Sequence, residues 1–259
     1  MNKYELFAAM HERGNPLLLG NAWNVPSAKL FEKNGYKAIG TSSAAIANSL
    51  GYEDGENIPF NLLFLFVERI LANISVPLSV DMEAGYGHHI TDTLGHLKKL
   101  NDAGVAGINL EDSEKGQLLP IDQFSKKLET IKNYLLKNSL KIFINARTDA
   151  YLLSELSPLE TTLDRVKKYE EAGADGIFVP FVREKNDILN ITAATRLPLN
   201  VLSIPNLPSF KSLAEWGVSR ISLGSTAFRA TYRNFEDLIK TVATEKTVSC
   251  LFQGSGTNV

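Results

Sequence analysis

The sequence predicts an α/β protein: a single (β/α)8 TIM-type barrel with a C-terminal helical extension. Three observations point there. Eight short segments read as near-continuous apolar runs, as parallel strands covered on both faces do. Amphipathic helical patterns separate nearly all of them. Glycines close four helices just before a strand, at Gly35, Gly104, Gly173 and Gly217, and the first three recur at an even interval of about two βα units.

Taken in order, the strands are expected at Leu17–Gly20, Lys37–Thr41, Pro77–Asp81, Ala106–Glu111, Lys141–Ala146, Gly176–Pro180, Leu199–Leu202 and Arg220–Leu223. The helices are expected at Ser27–Lys33, Asn61–Asn73, Thr91–Asp102, Ile121–Lys137, Pro158–Glu171, Lys185–Thr195 and Ser209–Trp216, with a last one around Asn234–Thr244. An open doubly wound sheet would call for a Gly-rich phosphate loop after the first strand, and the sequence has none there. Residues 1–253 are read as one barrel domain including its C-terminal helices. Residues 254–259, small and polar, are read as a flexible tail.

Composition narrows the function. Of 259 residues, 27 are basic and 29 acidic, a net charge of −2 that offers no footprint for nucleic acid or an anionic membrane. The single cysteine, Cys250, excludes an internal disulfide and a cysteine-based zinc cluster. The most apolar stretch, Ile58 to Leu71, is broken by Asn61, Glu68 and Arg69 and is too short to span a bilayer. Charges run through the first fourteen residues, unlike a secretory signal. A cytoplasmic protein is expected.

In such a barrel the chemistry sits at the C-terminal ends of the strands. There the apolar runs end in acids: Asp81 and Glu83 at the third, Glu111 and Asp112 at the fourth, and Arg147 and Asp149 at the fifth. Asp81 and Glu83 share a face if the strand persists. Carboxylates converging in one mouth repel unless a cation or proton sits among them. An all-oxygen set without clustered His or Cys suits Mg²⁺, with Mn²⁺ as the alternative. Acids at strand ends also cap following helices, which is the alternative role for Asp112 or Asp149. His88 and His89 follow the acid-rich turn on a solvated loop, and His11 and His96 are read as structural. Ser225 or Thr226 is expected to cap the last helix. Trp23 either lines the pocket floor or plugs the barrel.

The run Asp81-Met-Glu83-Ala-Gly-Tyr-Gly resembles the D-x-[DE]-x-G-Y-G signature of the isocitrate lyase/phosphoenolpyruvate mutase superfamily. The resemblance covers nearly the whole chain, through Asn21-Ala-Trp-Asn, Gly40-Thr-Ser42-Ser43, Leu50-Gly-Tyr-Glu-Asp54, Gly104 to Asp112, Asn145-Ala-Arg147-Thr-Asp149 and Ala172 to Pro180. It implies that Asp81 ligates Mg²⁺, with Glu83 and Glu111 holding it directly or through water. It implies that Ser42 and Ser43 bind the carboxylate of an α-oxo acid, that Arg147 pairs with the substrate, and that Asp54 stands near the reacting centre. Cleavage or formation of a C–C or P–C bond beside an α-oxo carboxylate, through an enolate-like state, is the shared chemistry. Related enzymes exchange a C-terminal helix between subunits, which implies a homodimer or homotetramer here. The apolar Val248, Leu251 and Phe252 fit that expectation.

Two departures bear on the reaction. The stretch Asp112 to Pro120 lacks the K-K-C-G-H loop that isocitrate and methylisocitrate lyases share. It also lacks the Thr-Asn pair of the phosphonopyruvate branch. The sequence is most similar to small bacterial members without the lyase cysteine. The expected function is a Mg²⁺-dependent lyase or hydrolase acting on a small α-oxo or 2-hydroxy carboxylate, oxaloacetate- or methylisocitrate-like. Phosphonopyruvate mutase or hydrolase chemistry, or a non-catalytic α-oxo-acid binding protein, are the alternatives.

Overall fold

Eight parallel strands close on themselves in the computed structural model, which describes residues 1–153 and 156–252. They are β1 (Leu17–Ala22), β2 (Ile39–Thr41), β3 (Leu78–Asp81), β4 (Gly107–Glu111), β5 (Phe143–Arg147), β6 (Gly176–Val179), β7 (Leu199–Leu202) and β8 (Val218–Ser222). Each pairs in parallel with its sequence neighbours, and β1 closes the ring by pairing Leu17 with Arg220 and Leu19 with Ser222. The expected (β/α)8 barrel is therefore the fold. Gly35, Gly104, Gly173 and Gly217 all adopt left-handed backbone, φ 85–92°, so each helix turns sharply into the next strand.

The boundaries differ in instructive ways. β1 runs past Gly20 because Asn21 and Ala22 still pair with Gly40 and Thr41. A short helix α1 (Lys3–Ala9), capped by Asn2, precedes the barrel, and a second, α3 (Ser43–Ser49), follows β2. Neither was expected. Helices α2 (Val25–Lys33), α4 (Phe60–Leu71), α5 (Ile90–Ala103), α6 (Ile121–Lys137), α7 (Pro158–Glu171), α8 (Lys185–Ala194) and α9 (Phe210–Glu215) match the expected ones within a few residues. The last helix, α10, starts at Thr226 and runs to Glu245, well before the expected Asn234. Ser225 occupies its N-cap position without a side-chain cap bond. Residues 254–259, expected as a tail, lie outside the described residues.

α1 seals the barrel floor. Phe7, fully buried, packs with Leu17, Leu19, Ala38, Ala106 and Phe143. Its ring meets Phe143 edge-on at 5.6 Å, and His11 stacks on Phe143 at 4.4 Å. The fit requires Gly107, where a Cβ would stand 2.7 Å from Phe7 Cε1. Phe7→Ala empties this plug and should cost about 3–5 kcal/mol, read as a lower denaturant midpoint with an unchanged slope. A midpoint equal to that of the parent would mean that α1 is not part of the cooperative core.

Above the floor the barrel interior turns polar. Asn109, Asn145, Asn200, Ser222 and the fully buried Arg220 occupy it. Asn145 Nδ2 donates to Asn109 Oδ1 at 2.9 Å, Arg220 Nη2 donates to the same oxygen at 3.3 Å, and Ser222 bridges Arg220 to Asn200. This layer supports the charged groups at the mouth.

Candidate active site

Asp81 ends β3 facing the start of α3. Its Oδ2 accepts from Ser43 Oγ at 2.8 Å and from the Ser43 amide at 3.4 Å; its Oδ1 accepts from Asn109 Nδ2 at 3.4 Å. Thr41 Oγ1 fixes the Asp81 amide at 2.9 Å. Ser42 is buried and caps α3, its Oγ accepting from the Ala45 amide at 3.3 Å. Thus Ser42 and Ser43, both placed in the mouth, have distinct local duties.

Glu83 sits just beyond the strand with φ 44°, an unfavourable backbone for a non-glycine residue. It is held there by the Glu56 amide at 2.8 Å and by the Tyr86 hydroxyl. Burial pushes its carboxyl up to about 7; Asp81 and Asp54 add to the effect, and the Tyr86 bond opposes it. Asp54 lies on an exposed loop, but its carboxyl end faces Ser43 and Asp81. Burial of that end, then the Asp81 charge, raises its pKa.

Glu111 ends β4 and pairs with Arg147 at 2.9 Å. Burial raises its pKa, with Asp149, Asp81 and Glu83 contributing; Arg147 acts in the other direction. Arg147 ends β5 directly opposite Glu111 in the register. Burial alone would lower the guanidinium, but Glu111 and Asp149 outweigh that and raise it. Arg147 therefore stays a cation. Its Nε and Nη2 donate to the two oxygens of Asp149 at 2.7 and 3.1 Å.

The expected acids and Arg147 thus share one mouth. Among the described residues, no group of three or more His, Cys, Asp or Glu side chains meets closely enough to hold an ion directly. The donor set is all oxygen, with Asp81 nearest the centre of mutual influence on Glu83, Glu111 and Asp54. Such a set fits Mg²⁺, which takes one or two carboxylates and keeps several waters. A divalent cation would also offset the repulsion that raises these carboxyls.

Other residues settle elsewhere. Trp23 is buried edge-on against Phe228 of α10, ring centroids 5.3 Å apart, and borders a groove between α2 and α10. Asp112 and Asp149 do not cap helices: both are buried and take hydrogen bonds from side chains far along the chain. His89 occupies the N-cap position of α5, and His96 stacks on Phe60 at 3.7 Å. His88 borders a cavity of about 720 Å³ beside Glu83 and Glu111, with Glu56, Phe60 and Lys115 on its walls. Lys127 of α6 was not foreseen. Its Nζ donates to the Ala84 carbonyl at 2.5 Å and so fastens the acid-bearing turn. Its side chain sits on a helix whose sequence reads as an ordinary solvated face, so only the fold reveals it. The loop after β4 carries a two-stranded ribbon, Ser113–Glu114 against Gln117–Leu118.

A closed (β/α)8 barrel whose third and fourth strands end in acids and whose fifth ends in an arginine defines a class of barrel with an oxygen-rich, anion-competent mouth. Residues 7–243 match the family described as phosphoenolpyruvate phosphomutase, and the chain belongs to that family, within the isocitrate lyase/phosphoenolpyruvate mutase superfamily. The uncharacterized protein Rv1998c of Mycobacterium tuberculosis is 34% identical over 224 residues, covering 86% of this chain and 83% of that protein. A 2-methylisocitrate lyase of Salmonella typhimurium is 27% identical over 255 residues, covering 94% and 85%. A crystal structure from Burkholderia cenocepacia, described as a phosphonomutase, superposes with a TM-score of 0.88 at 35% identity, covering 92% of this chain and 99% of that one. A phosphonopyruvate hydrolase bound to oxalate and Mg²⁺ shares the fold, with a TM-score of 0.83 at 21% identity and coverage of 99% and 90%. Among the described residues no helix is long and apolar enough to cross a membrane.

Proposed function

We propose that this protein is a Mg²⁺-dependent lyase or hydrolase that cleaves a C–C bond beside the oxo or hydroxyl carbon of a small carboxylate, oxaloacetate- or methylisocitrate-like. The observation that carries the reading is the cation Arg147, paired with Glu111 and within electrostatic reach of Asp81 in one mouth. Magnesium, when bound, supplies the Lewis acid that polarises the substrate's oxo oxygen. Asp81 would hold it directly, and Glu83 and Glu111 would hold its waters.

The remaining work falls to the chain. Ser42 and Ser43 receive the substrate carboxylate at the start of α3. Arg147 stabilises the negative charge that develops as the bond breaks, because a fixed guanidinium in a partly dry site needs no reorganisation. Asp54, with its carboxyl raised by burial and Asp81, is placed to carry a proton at the reacting carbon. Glu111 holds Arg147 at the mouth through their ion pair. The resemblance to 2-methylisocitrate lyase over 94% of the chain supports the C–C reading.

Product analysis decides it. Oxaloacetate, 2-methylisocitrate and phosphonopyruvate are offered separately, with Mg²⁺ and with EDTA. Mg²⁺-dependent cleavage of either carbon substrate is the expected result. Cleavage of phosphonopyruvate alone would assign P–C chemistry. Binding of all three without turnover would assign an α-oxo-acid binding protein.

The chain assembles in this reading as a homodimer or homotetramer. α10 leaves Phe235, Leu238 and Ile239 exposed, and Val248 and Leu251 follow on the same terminal segment. Phe235 also lines an apolar groove of about 710 Å³ with Trp23, Leu30, Phe31 and Tyr36. Apolar surface of this kind marks a contact face, and a second copy of the chain presents the matching helix. Sedimentation of the full chain and of a chain ending before Glu245 tests it. The full chain should sediment as an oligomer and the shortened one as a smaller species. A monomeric full chain, or an oligomer indifferent to truncation, contradicts it.

A further inference from the structure

We propose that a buried cluster of Asp112, Arg165 and Tyr169, acting through Asp149, is the positioning element for Arg147 and ties that arginine to the loop 112–119. What Arg147 does rests on the proposed function; how it is held does not.

Arginine side chains are long, and holding one in a single pose at an open mouth costs rotamer entropy. Here two of its five N–H groups are engaged, both by Asp149, while Nη1 forms an ion pair with Glu111 at 2.9 Å. Donors remain on both terminal nitrogens for a carboxylate or an enolate oxygen. The pose therefore depends on Asp149, which is itself only 1% exposed. Asp149 is fixed at two points. Ser113 Oγ donates to its Oδ2 at 2.5 Å, and its amide donates to Asp112 Oδ1 at 3.0 Å.

Asp112 is the hub. It is fully buried, and its Oδ2 accepts from Arg165 Nη1 at 2.8 Å and from Tyr169 Oη at 2.6 Å. Arg165 also donates to Tyr169 Oη at 2.9 Å, closing a triangle. Arg165 and Tyr169 stand one turn apart on α7, so they project together from the outer layer toward the mouth. The Asp112 amide donates to the Arg147 carbonyl at 3.0 Å, which locks the backbone beneath the arginine as well.

The same cluster pins the loop. The Leu119 amide donates to the Asp112 carbonyl at 2.8 Å, and Arg165 Nη2 donates to the Leu119 carbonyl at 2.8 Å. Ser113 belongs to the loop's two-stranded ribbon. Displacing the loop would pull Ser113 from Asp149 and release the arginine. A buried ion pair contributes little net stability, because desolvating both charges offsets their attraction. What this one supplies is geometry: it carries a fixed point on α7 to the guanidinium at the mouth.

Full-length protein decides it with two readouts. The first is hydrogen exchange of the Arg147 Nε–H, followed by NMR without ligand. The second is calorimetric affinity for oxalate at saturating Mg²⁺. The variants are Tyr169→Phe, Ser113→Ala and the charge-neutral pair Asp112→Asn with Arg165→Met. In the pair, the Nε–H should exchange at least about tenfold faster and oxalate should bind at least about tenfold more weakly, while Mg²⁺ affinity is unchanged. Tyr169→Phe and Ser113→Ala should move both readouts in the same direction by smaller factors, and they decide the matter if the pair does not fold. Parent-like exchange and oxalate affinity in folded variants would overturn the proposal. If the parent protein binds no oxalate, the reading of what Arg147 contacts fails, while the exchange data still judge how it is held.

Discussion

Asp81→Ala should remove Mg²⁺ binding and turnover while leaving the barrel folded. Asp81 is the acid at the centre of the mouth, held by Ser43 Oγ on one side and Asn109 on the other. Its backbone amide, not its carboxylate, carries the bond to Thr41, so the strand end stays anchored when the side chain is cut. The side chain fills no core: it sits at the partly exposed end of β3, where substitutions act on function more than on packing. Residues that merely support a metal ligand are worth roughly 10–100-fold in affinity, so loss of the carboxylate itself should exceed that range. Calorimetry with Mg²⁺ measures it, and a thermal scan confirms the fold. Unchanged Mg²⁺ affinity in the variant would remove Asp81 from the metal assignment.

Arg147→Lys should be nearly as damaging, although it keeps the charge. The guanidinium spans Asp149 and Glu111 at once, at 2.7, 3.1 and 2.9 Å. A lysine ammonium is a compact point charge without a planar fork, so it satisfies one of these acids and presents no paired donors to a carboxylate. The loss should fall on kcat/KM by about 2–4 kcal/mol, the range for removing a fixed donor from developing negative charge. Mg²⁺ affinity should change far less than in Asp81→Ala, because Arg147 touches the acids only from the side. Near-normal kinetics would place Arg147 outside the reacting centre.

The barrel was legible because its strands are buried on both faces. Residues 106–111 and 176–180 read as near-continuous apolar runs, and the left-handed glycines mark where helices stop. α1 was not legible. It is seven residues long, and Phe7 alone of them is buried, so it carries no periodicity to read. α3, with the sequence SAAIANS, is covered by the fold on nearly every side and shows no polar face. The first two turns of α10 were lost for the opposite reason: Arg229, Arg233 and their polar neighbours mask the apolar stripe that becomes clear only from Phe235 onward.

The site divides in the same way. Asp81, Glu83, Glu111 and Arg147 stand at strand ends, and their position relative to the apolar runs is enough to bring them to one mouth. Their partners are not local. Asp112 looks like a helix cap in sequence, yet its carboxylate meets Arg165 and Tyr169, more than fifty positions away on a helix that reads as solvated. Arg220 lies inside a strand and becomes a fully buried cation only because the barrel closes around it. Its pKa is pushed down to about 9 by burial, with Asp81 acting against that fall. Long-range pairing of this kind depends on the topology and leaves no pattern in the neighbouring residues.

Oxalate is a planar dianion that resembles the enolate of a small α-oxo acid, so its binding reports on the metal and Arg147 together. Calorimetric titration of the parent protein with oxalate, once with Mg²⁺ and once with EDTA, measures whether metal and anion share this mouth. Binding should require Mg²⁺ and be weakened in both Asp81→Ala and Arg147→Lys. Binding of equal strength in EDTA, or binding indifferent to both substitutions, would contradict the shared site.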